Sequence, residues 1–449
     1  MEGNRFIIIG GDAAGMSAAS RIRKRRPESE VVVYEAGEYV SYSACGMPYH
    51  IGGIVREFND LIHYDVAKFR EERHIEVHLK SKVTSIDPKS RTIVFQKGGN
   101  ESTDRYDRLV IATGASPKVP DSLKAVSGVY TLRTLNDLIP FEGAIAASRH
   151  VTVVGAGYIG LELSEALRSR GKEVTIVQHS GKLLRGYDSE LSSAIEKELS
   201  DHKVNLEMNS EISQVIGKEG DLTVTTTSGN KFKTDIIAVA VGVSPNSRIA
   251  AEAGIILGES GAIRVNRLME TNIPGIYAAG DVATTFNRIT GKEMYMPLAT
   301  GSNKSGRVAG ENAAGGHKEY PGITGTEVVK VFSLEVGKTG LDETTASHEG
   351  FDVVSATITS TSRSSYYPGS QKITIKIVGD RRSGKLLGAE MIGKEGVAKR
   401  IDIVAAALYS GLSVEDMTGI DYSYSPPFAP TWEPILVAAD VLLGKMQKM

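Results

Sequence analysis

Cysteine is almost absent from this chain: Cys45 is the only one in 449 residues. No internal disulfide can form, which excludes a secreted scaffold held together by cystines. If the thiol is redox-active, its oxidised partner must come from outside the chain, as a small thiol, a sulfenic oxygen or another chain. No apolar run reaches about 18 residues, so no membrane-spanning helix is expected. Met1-Glu2-Gly3-Asn4-Arg5 leads straight into an apolar strand, without the charged and long apolar stretches of a secretory signal. The expected setting is therefore cytoplasmic and reducing. A net charge of −2 gives no general pull toward nucleic acid or an acidic membrane. No cluster of Cys and His has metal-ligand spacing, so no metal is expected. No low-complexity segment is present.

Glycine is what the chain has in excess, with 48 residues against an average of about 7%. Many backbone positions must need close approach or positive φ. The length is that of two or three domains.

Two segments share one plan. Arg5 to Ile9 is apolar, Gly10-Gly11-Asp12-Ala13-Ala14-Gly15 follows, then a helical stretch to Arg26 and a strand Val31 to Glu35. Val151 to Val154 leads likewise into Gly155-Ala156-Gly157-Tyr158-Ile159-Gly160, a helical stretch to Arg170 and a strand Val174 to Gln178. Each reads as strand, glycine turn, helix, strand, a βαβ unit. The copies lie about 145 residues apart, which suggests two similar domains rather than a solenoid. Buried strands ending in tight turns are read at Leu109 to Gly114, Ile236 to Gly242 and Ile276 to Asp281. From about residue 325 the pattern changes. Val328 to Val331, Gly350 to Thr359 and Lys372 to Val378 read as antiparallel strands, with helices at Val397 to Leu408 and Pro434 to Leu443.

The second glycine turn is the stronger. Gly155 permits the sharp turn, Gly157 lets a pyrophosphate approach the backbone, and Gly160 packs helix on strand. The anion then meets free N–H groups at the helix N-terminus. In the first turn Asp12 takes the middle glycine position, where a carboxylate is unhelpful unless it points away. Glu35 restores the pattern: at a strand end past Gly15, it can accept hydrogen bonds from ribose hydroxyls, though a solvated strand terminus is the plainer reading. Gln178 stands at the equivalent place in the second unit, with His179 and Lys182 nearby. The lack of an acid there permits a 2′-phosphate and favours NADPH or dual use over strict NADH; ordinary surface residues are the alternative.

Cys45 lies ten residues past Glu35, in Ser41-Tyr42-Ser43-Ala44-Cys45-Gly46-Met47-Pro48-Tyr49. A lone Cys is more often a small buried apolar residue than a nucleophile. Here Gly46 and Pro48 suggest a turn into a short helix, a placement that favours thiolate. At up to about 3.3 Å per residue, the intervening segment can run alongside an extended dinucleotide.

On Ser41 to Tyr49, Ala112-Thr113-Gly114, Gly155 to Glu162, Gly280-Asp281 and Tyr424-Ser425-Pro426-Pro427-Phe428, the chain resembles the flavoprotein disulfide reductases over its whole length. It is most similar to the coenzyme A disulfide reductase group, near the NADH oxidases and peroxidases. The resemblance implies an α/β protein with two Rossmann-like dinucleotide-binding domains plus a C-terminal α+β dimerisation domain. FAD would be held by residues 1–115 and 247–323, NAD(P)H by 116–246, and a homodimer made by 324–449. It implies hydride transfer from NADPH or NADH to the flavin, then reduction of a mixed disulfide between Cys45 and coenzyme A. Tyr158 would cover the flavin face until nicotinamide displaces it, with Ile159, Glu162 and Gly242 along the nicotinamide nucleotide. Thr113, Gly114, Gly280 and Asp281 would lie against FAD, beside Gly10, Ala13, Ala14 and Gly15. Substrate contacts map onto Ser17, Arg21, Lys24, Ser41 and Arg73 of one subunit, and onto Asn303, Arg307, Tyr367 and Tyr424 of the partner, with Trp432 a further candidate. Arg21, Lys24 and Arg73 could meet the phosphates of coenzyme A; a solvated helix end is the alternative reading of Arg21 to Arg26.

Departures from near relatives bear on the chemistry. Peroxide-reducing members carry a His soon after the first glycine, where this chain has Ala13. Glutathione-reductase types use two cysteines and a C-terminal His-Pro pair, both missing here. No His at a comparable position offers itself as a general acid, so Tyr367 or Tyr424 could assist the leaving thiolate. The acceptor stays open among coenzyme A disulfide, persulfide, polysulfide and oxygen, the last making an NAD(P)H oxidase. A flavin-bearing sensor that stores coenzyme A without turnover is the non-enzymatic alternative, and the intact second glycine turn argues against it.

Overall fold

The structure is a computed structural model that describes residues 4–184 and 186–448; Met1 to Gly3 of the N-terminal reading lie outside the described residues. The chain forms two compact units, the first of residues 1–148, 238–286 and 291–323, the second of 149–237, 287–290 and 324–449.

In the first unit, strand β1 (Arg5–Ile9), helix α1 (Ala13–Arg25) and strand β2 (Glu30–Tyr34) build the βαβ motif. Their sheet has five strands, in the order Ile276–Ala278, Arg108–Ile111, β1, β2, Glu76–His78, and every pairing is parallel. Phe6 to Ile9, Val31 to Tyr34, Leu109 to Ile111 and Ile276 to Ala278 are all buried, as a parallel sheet covered on both faces requires. One cover is α1, which packs on the helix Ala299–Ala313. Glycines set that distance: a Cβ on Gly306 would stand 2.2 Å from the Ala14 carbonyl oxygen, and one on Gly310 2.4 Å from that of Ala18. The two helices touch backbone to backbone.

In the second unit, β3 (His150–Val154), α2 (Tyr158–Ser169) and β4 (Glu173–Val177) repeat the motif, with Val204–Glu207 parallel to β4 beyond it. The same unit holds a five-stranded antiparallel sheet. Its order is β5 (Glu327–Val331), β6 (Leu334–Gly340), Leu386–Gly393, Lys372–Asp380, Val353–Thr361. Helices Val397–Ser410 and Pro434–Met446 pack on it. Two of these strands are missing from the sequence reading. β6 and Leu386–Gly393 each contain two glycines, which read locally as strand breakers. Both are interior strands, and neighbours on either side supply the pairing that propensity lacks. No helix among the described residues is long and apolar enough to cross a membrane.

Candidate active site

The thiol comes first. Cys45 is exposed on a short turn, Ala44–Gly46, that runs into the helix Met47–Ile51. The preceding residues are fixed on both sides. The Ser41 N–H donates to the Gly11 carbonyl at 3.0 Å, the Ser43 N–H to Leu61 at 2.7 Å, and the His63 N–H to Ser41 at 3.0 Å. The glycine turn and the cysteine segment are thereby tied together.

Cys45 lines a cavity of about 830 Å³ in the first unit. Ser17, Arg21, Lys24, Ser41, Arg73, Asn303 and Arg307 line it too, together with Asp12 and Ala13. Four cations thus face one void, with one carboxylate among them. This corrects the assignment of Asn303 and Arg307 to a partner subunit. The close approach of α1 to Ala299–Ala313 puts them beside the cysteine of their own chain, and Ser17 Oγ donates to Asn303 Oδ1 at 2.9 Å. Arg21 is partly spent, since its guanidinium binds Glu311, which also takes Arg25 at 2.6 Å. Arg73 donates to Ser20 Oγ at 3.0 Å and lies over the rings of Tyr64 and Phe69, 4.7 and 5.4 Å from their centres.

A histidine that the sequence reading passed over lies here. His63 lines the same cavity, and its Nε2 is 2.8 Å from Ser43 Oγ. Sequence distance hid it; the antiparallel bridge between Tyr42 and Ile62 brings it in. Burial pushes the Asp12 carboxyl up to about 6, against the pull of Arg133, with Glu35 adding to the rise. The Tyr42 phenol is pushed up by the same cause.

Around the first glycine turn the residues fit a dinucleotide. Gly10 has φ +107°, and a Cβ there would meet the Ala112 carbonyl oxygen at 2.1 Å. Asp12 starts α1 without a side-chain cap, so the helix N-terminus is left for an anion. Glu35 accepts from the N–H groups of Gly11 at 2.7 Å and Gly37 at 2.6 Å, which fixes its carboxylate at the strand end with lone pairs to spare. Asp281 accepts from Arg133 Nη2 at 2.6 Å and Ser302 Oγ at 2.7 Å. Thr113 Oγ1 donates to the Asn246 carbonyl at 2.9 Å, and the Asn246 N–H donates to the Gly114 carbonyl at the same distance. A Cβ on Gly280 would stand 2.7 Å from that of Ala14. Arg133 escaped the sequence reading because nothing local marks it; its role comes from Asp281, 148 residues away.

The second turn fits equally well. A Cβ on Gly160 would meet the Gly155 carbonyl oxygen at 2.0 Å, while one on Gly157 would meet nothing within 4 Å. The helix packs tightly where it must and leaves open space where a pyrophosphate would come. α2 has no side-chain cap. Gln178 is buried at the end of β4: Oε1 accepts the Ala156 N–H at 3.0 Å, and Nε2 donates to Ser180 Oγ at 2.7 Å and the Lys182 carbonyl at 3.1 Å. Ile159, His179, Lys182 and Gly242 are exposed, and Glu162 is half-buried on α2. The Tyr158 hydroxyl meets Tyr187 and Glu327.

Tyr367 and Tyr424 belong to the second unit. Tyr424 is 49% exposed, and its hydroxyl lies 3.4 Å from that of Tyr366, a residue the sequence reading passed over. That hydrogen bond holds the Tyr424 phenol below its ordinary range and raises that of Tyr366. Tyr367 is instead held by its backbone N–H to Ser364, at 2.9 Å, with Arg363 over its ring. Trp432 is 68% exposed.

Comparison with known proteins agrees with this geometry. Residues 4–306 match the family model of pyridine nucleotide-disulphide oxidoreductases, and residues 326–434 that of their dimerisation domain. The chain is 40% identical to an NAD(P)H sulfur oxidoreductase (CoA-dependent) of Pyrococcus furiosus, over 98% of this chain and 100% of that protein. It is 31% identical to a coenzyme A disulfide reductase of Staphylococcus epidermidis, over 95% of this chain and 97% of that one. Among solved structures, an NAD-dependent persulfide reductase from A. fulgidus superposes with a TM-score of 0.95 at 34% identity, covering 98% of this chain and 83% of the other.

Proposed function

This chain belongs to the pyridine nucleotide-disulphide oxidoreductases, and we propose that it carries electrons from NAD(P)H through FAD to coenzyme A disulfide, or to a coenzyme A persulfide or polysulfide, by way of Cys45. The observation that carries this reading is the cavity: one exposed thiol faces Arg21, Lys24, Arg73 and Arg307, a charge pattern suited to a polyphosphorylated thiol. We assign FAD to residues 1–115 and 247–323, the nicotinamide nucleotide to 116–246, and dimer formation in the cytoplasm to 324–449.

When bound, FAD supplies the passage of two electrons from nicotinamide to sulfur. The chain's own residues do the rest. Glu35 and the uncapped start of α1 would hold the ribose and pyrophosphate of FAD, and the uncapped start of α2 would hold the pyrophosphate of NAD(P)H. The Cys45 thiolate attacks one sulfur of the acceptor. The S–S bond breaks, one coenzyme A leaves and takes up a proton, and a mixed disulfide remains on Cys45. Two electrons then break that bond, the second coenzyme A leaves with a proton, and Cys45 is again a thiolate. One disulfide, one NADPH and one proton give two thiols and NADP⁺. His63, hydrogen-bonded to Ser43, is one proton source that lines the cavity, and Tyr424 of a second copy is the other candidate.

Steady-state turnover with NADPH and each acceptor in one buffer tests the reading, together with mass spectrometry of the purified protein. Turnover of coenzyme A disulfide or persulfide and a coenzyme A adduct on Cys45 are expected. Oxygen as the sole productive acceptor would replace it with the oxidase reading.

A further inference from the structure

Arg21 and Arg73 face the Cys45 cavity under different constraints. Arg21 is paired with Glu311. Arg73 has no carboxylate partner among the described residues. It donates one N–H, from Nη1, to Ser20 Oγ. A guanidinium carries five N–H donors, so most of them stay available to a ligand. What holds it is aromatic: its Cζ stands 4.7 Å from the centre of the Tyr64 ring and 5.4 Å from that of Phe69.

The local sequence explains the seat. Arg73 ends the helix Val66–Arg73, where a cation also suits the dipole. Asp65 is the N-cap, and its carboxylate accepts the Lys68 N–H at 2.8 Å. Tyr64 stands just before the cap and Phe69 is the fourth residue of the helix. That is the spacing of a hydrophobic staple. The two rings meet edge to face, with centroids 5.8 Å apart, and Phe69 is buried. Arg73 follows Phe69 by four residues, so it lies on the same helix face. The staple that fixes the entry of the chain into the helix is also the seat of the guanidinium. Lys68 Nζ lies over the Tyr64 ring as well, at 4.6 Å.

This seat is tied to the thiol. Tyr64 follows His63, whose N–H donates to the Ser41 carbonyl, and Ile62 bridges to Tyr42. On the other side, Ser20 shares one face of α1 with Ser17, Arg21 and Lys24, all of which line the cavity. Arg73 is therefore held between the cysteine segment and α1.

We propose that Tyr64 is the positioning residue for Arg73: its ring sets the guanidinium at a fixed reach from Cys45, ready for a phosphate of coenzyme A. The site then prefers a phosphate-bearing disulfide over one with the same thiol arm and no phosphate. This rests on the coenzyme A reading. A long side chain loses rotamer freedom when it grips a ligand. Rings that order it beforehand remove that cost from the binding step. A half-buried guanidinium on two rings has the strength to be held in this way.

Steady-state kinetics of the FAD-loaded enzyme at saturating NADPH tests the proposal, with coenzyme A disulfide and pantethine, its phosphate-free counterpart, as acceptors. The readout is the ratio of kcat/KM for the first to that for the second. Arg73→Met should lower the ratio about tenfold or more, the effect of one charge-assisted hydrogen bond. Tyr64→Leu and Tyr64→Gln share only the loss of the ring, so either one that folds serves. Each should lower the ratio about threefold to tenfold, through KM for coenzyme A disulfide rather than kcat. Tyr64→Phe keeps the ring and should hold the ratio within about twofold of wild type. Adding Tyr64→Leu to Arg73→Met should lower it no further, because both act through one guanidinium. A wild-type ratio in Arg73→Met, Tyr64→Leu or Tyr64→Gln, an equal loss in Tyr64→Phe, or additive losses overturns the proposal and leaves the coenzyme A reading standing. Wild-type enzyme that turns over coenzyme A disulfide no better than pantethine overturns both.

Discussion

Gln178 accepts the backbone N–H of Ala156 at 3.0 Å, just as Glu35 accepts that of Gly11 at 2.7 Å. The two βαβ units close their glycine turns with the same bond, once through a neutral amide and once through a carboxylate. At the second turn the amide has a further task, since Nε2 donates to Ser180 and Lys182. Gln178→Glu keeps the bond to Ala156 and sets a carboxylate oxygen against the Lys182 carbonyl. The loss is about 1–3 kcal/mol of stability, seen as a lower melting temperature. The new charge also disfavours a 2′-phosphate, so the kcat/KM ratio of NADPH to NADH should fall. An unchanged ratio would mean that this loop does not read the ribose.

Cys45→Ser should bind FAD and accept electrons from NADPH as wild type does, because the exchange of sulfur for oxygen is small and Glu35 and Gln178 close the two glycine turns. Turnover of coenzyme A disulfide should be abolished. Anaerobic bleaching of the flavin absorbance with normal extent, paired with zero thiol release, is the expected pattern; residual disulfide turnover would contradict it.

Tyr366→Phe removes the hydroxyl that holds the Tyr424 phenol below its ordinary range. The ultraviolet titration of Tyr424 should move up toward that of a free phenol. Tyr367→Phe should leave it in place, because the bond that positions Tyr367 is made by its backbone.

The Asp12 carboxyl is raised to about 6 by burial. An acid whose folded pKa exceeds its unfolded one holds its proton longer when folded, so stability falls as pH rises between the two values. Between about pH 4 and 6 this group removes some stability, less than the ~3 kcal/mol that the whole shift would give, because its partial exposure screens it. Asp12→Asn should flatten that part of the melting-temperature profile. A profile identical to wild type would show that Asp12 titrates normally.

Gly306→Val places a branched side chain where even a Cβ would be 2.2 Å from the Ala14 carbonyl. The helices must part, at a cost of about 1–3 kcal/mol or more. Melting temperature should drop, and FAD retention with it, since Ala14 belongs to the first glycine turn. A valine tolerated at full stability would mean that the two helices have slack.

Much of the fold was legible locally. β1, β2, β3 and β4 are short runs of Val and Ile bounded by glycine turns, and a repeated pattern of that kind needs no long-range information. The third region was read less fully, because β6 and Leu386–Gly393 take their strand state from neighbours rather than from their own glycine-containing sequence. In the site, the thiol and the glycine turns announce themselves by type and spacing. Arg133, His63, Tyr366 and Glu327 do not, for each is placed by a partner distant in sequence.

By itself, the sequence determined that two dinucleotide turns and one thiol exist on this chain, since glycine where a Cβ cannot fit and a lone cysteine are properties of single positions. Tertiary structure alone decided which side chains share a cavity with that thiol. The backbone contact of α1 with Ala299–Ala313 brings Asn303 and Arg307 to Cys45 within one chain, and pairing of β5 with β6 sets Glu327 opposite Lys338. Both depend on distances between segments far apart in sequence, which packing fixes and local patterns do not encode.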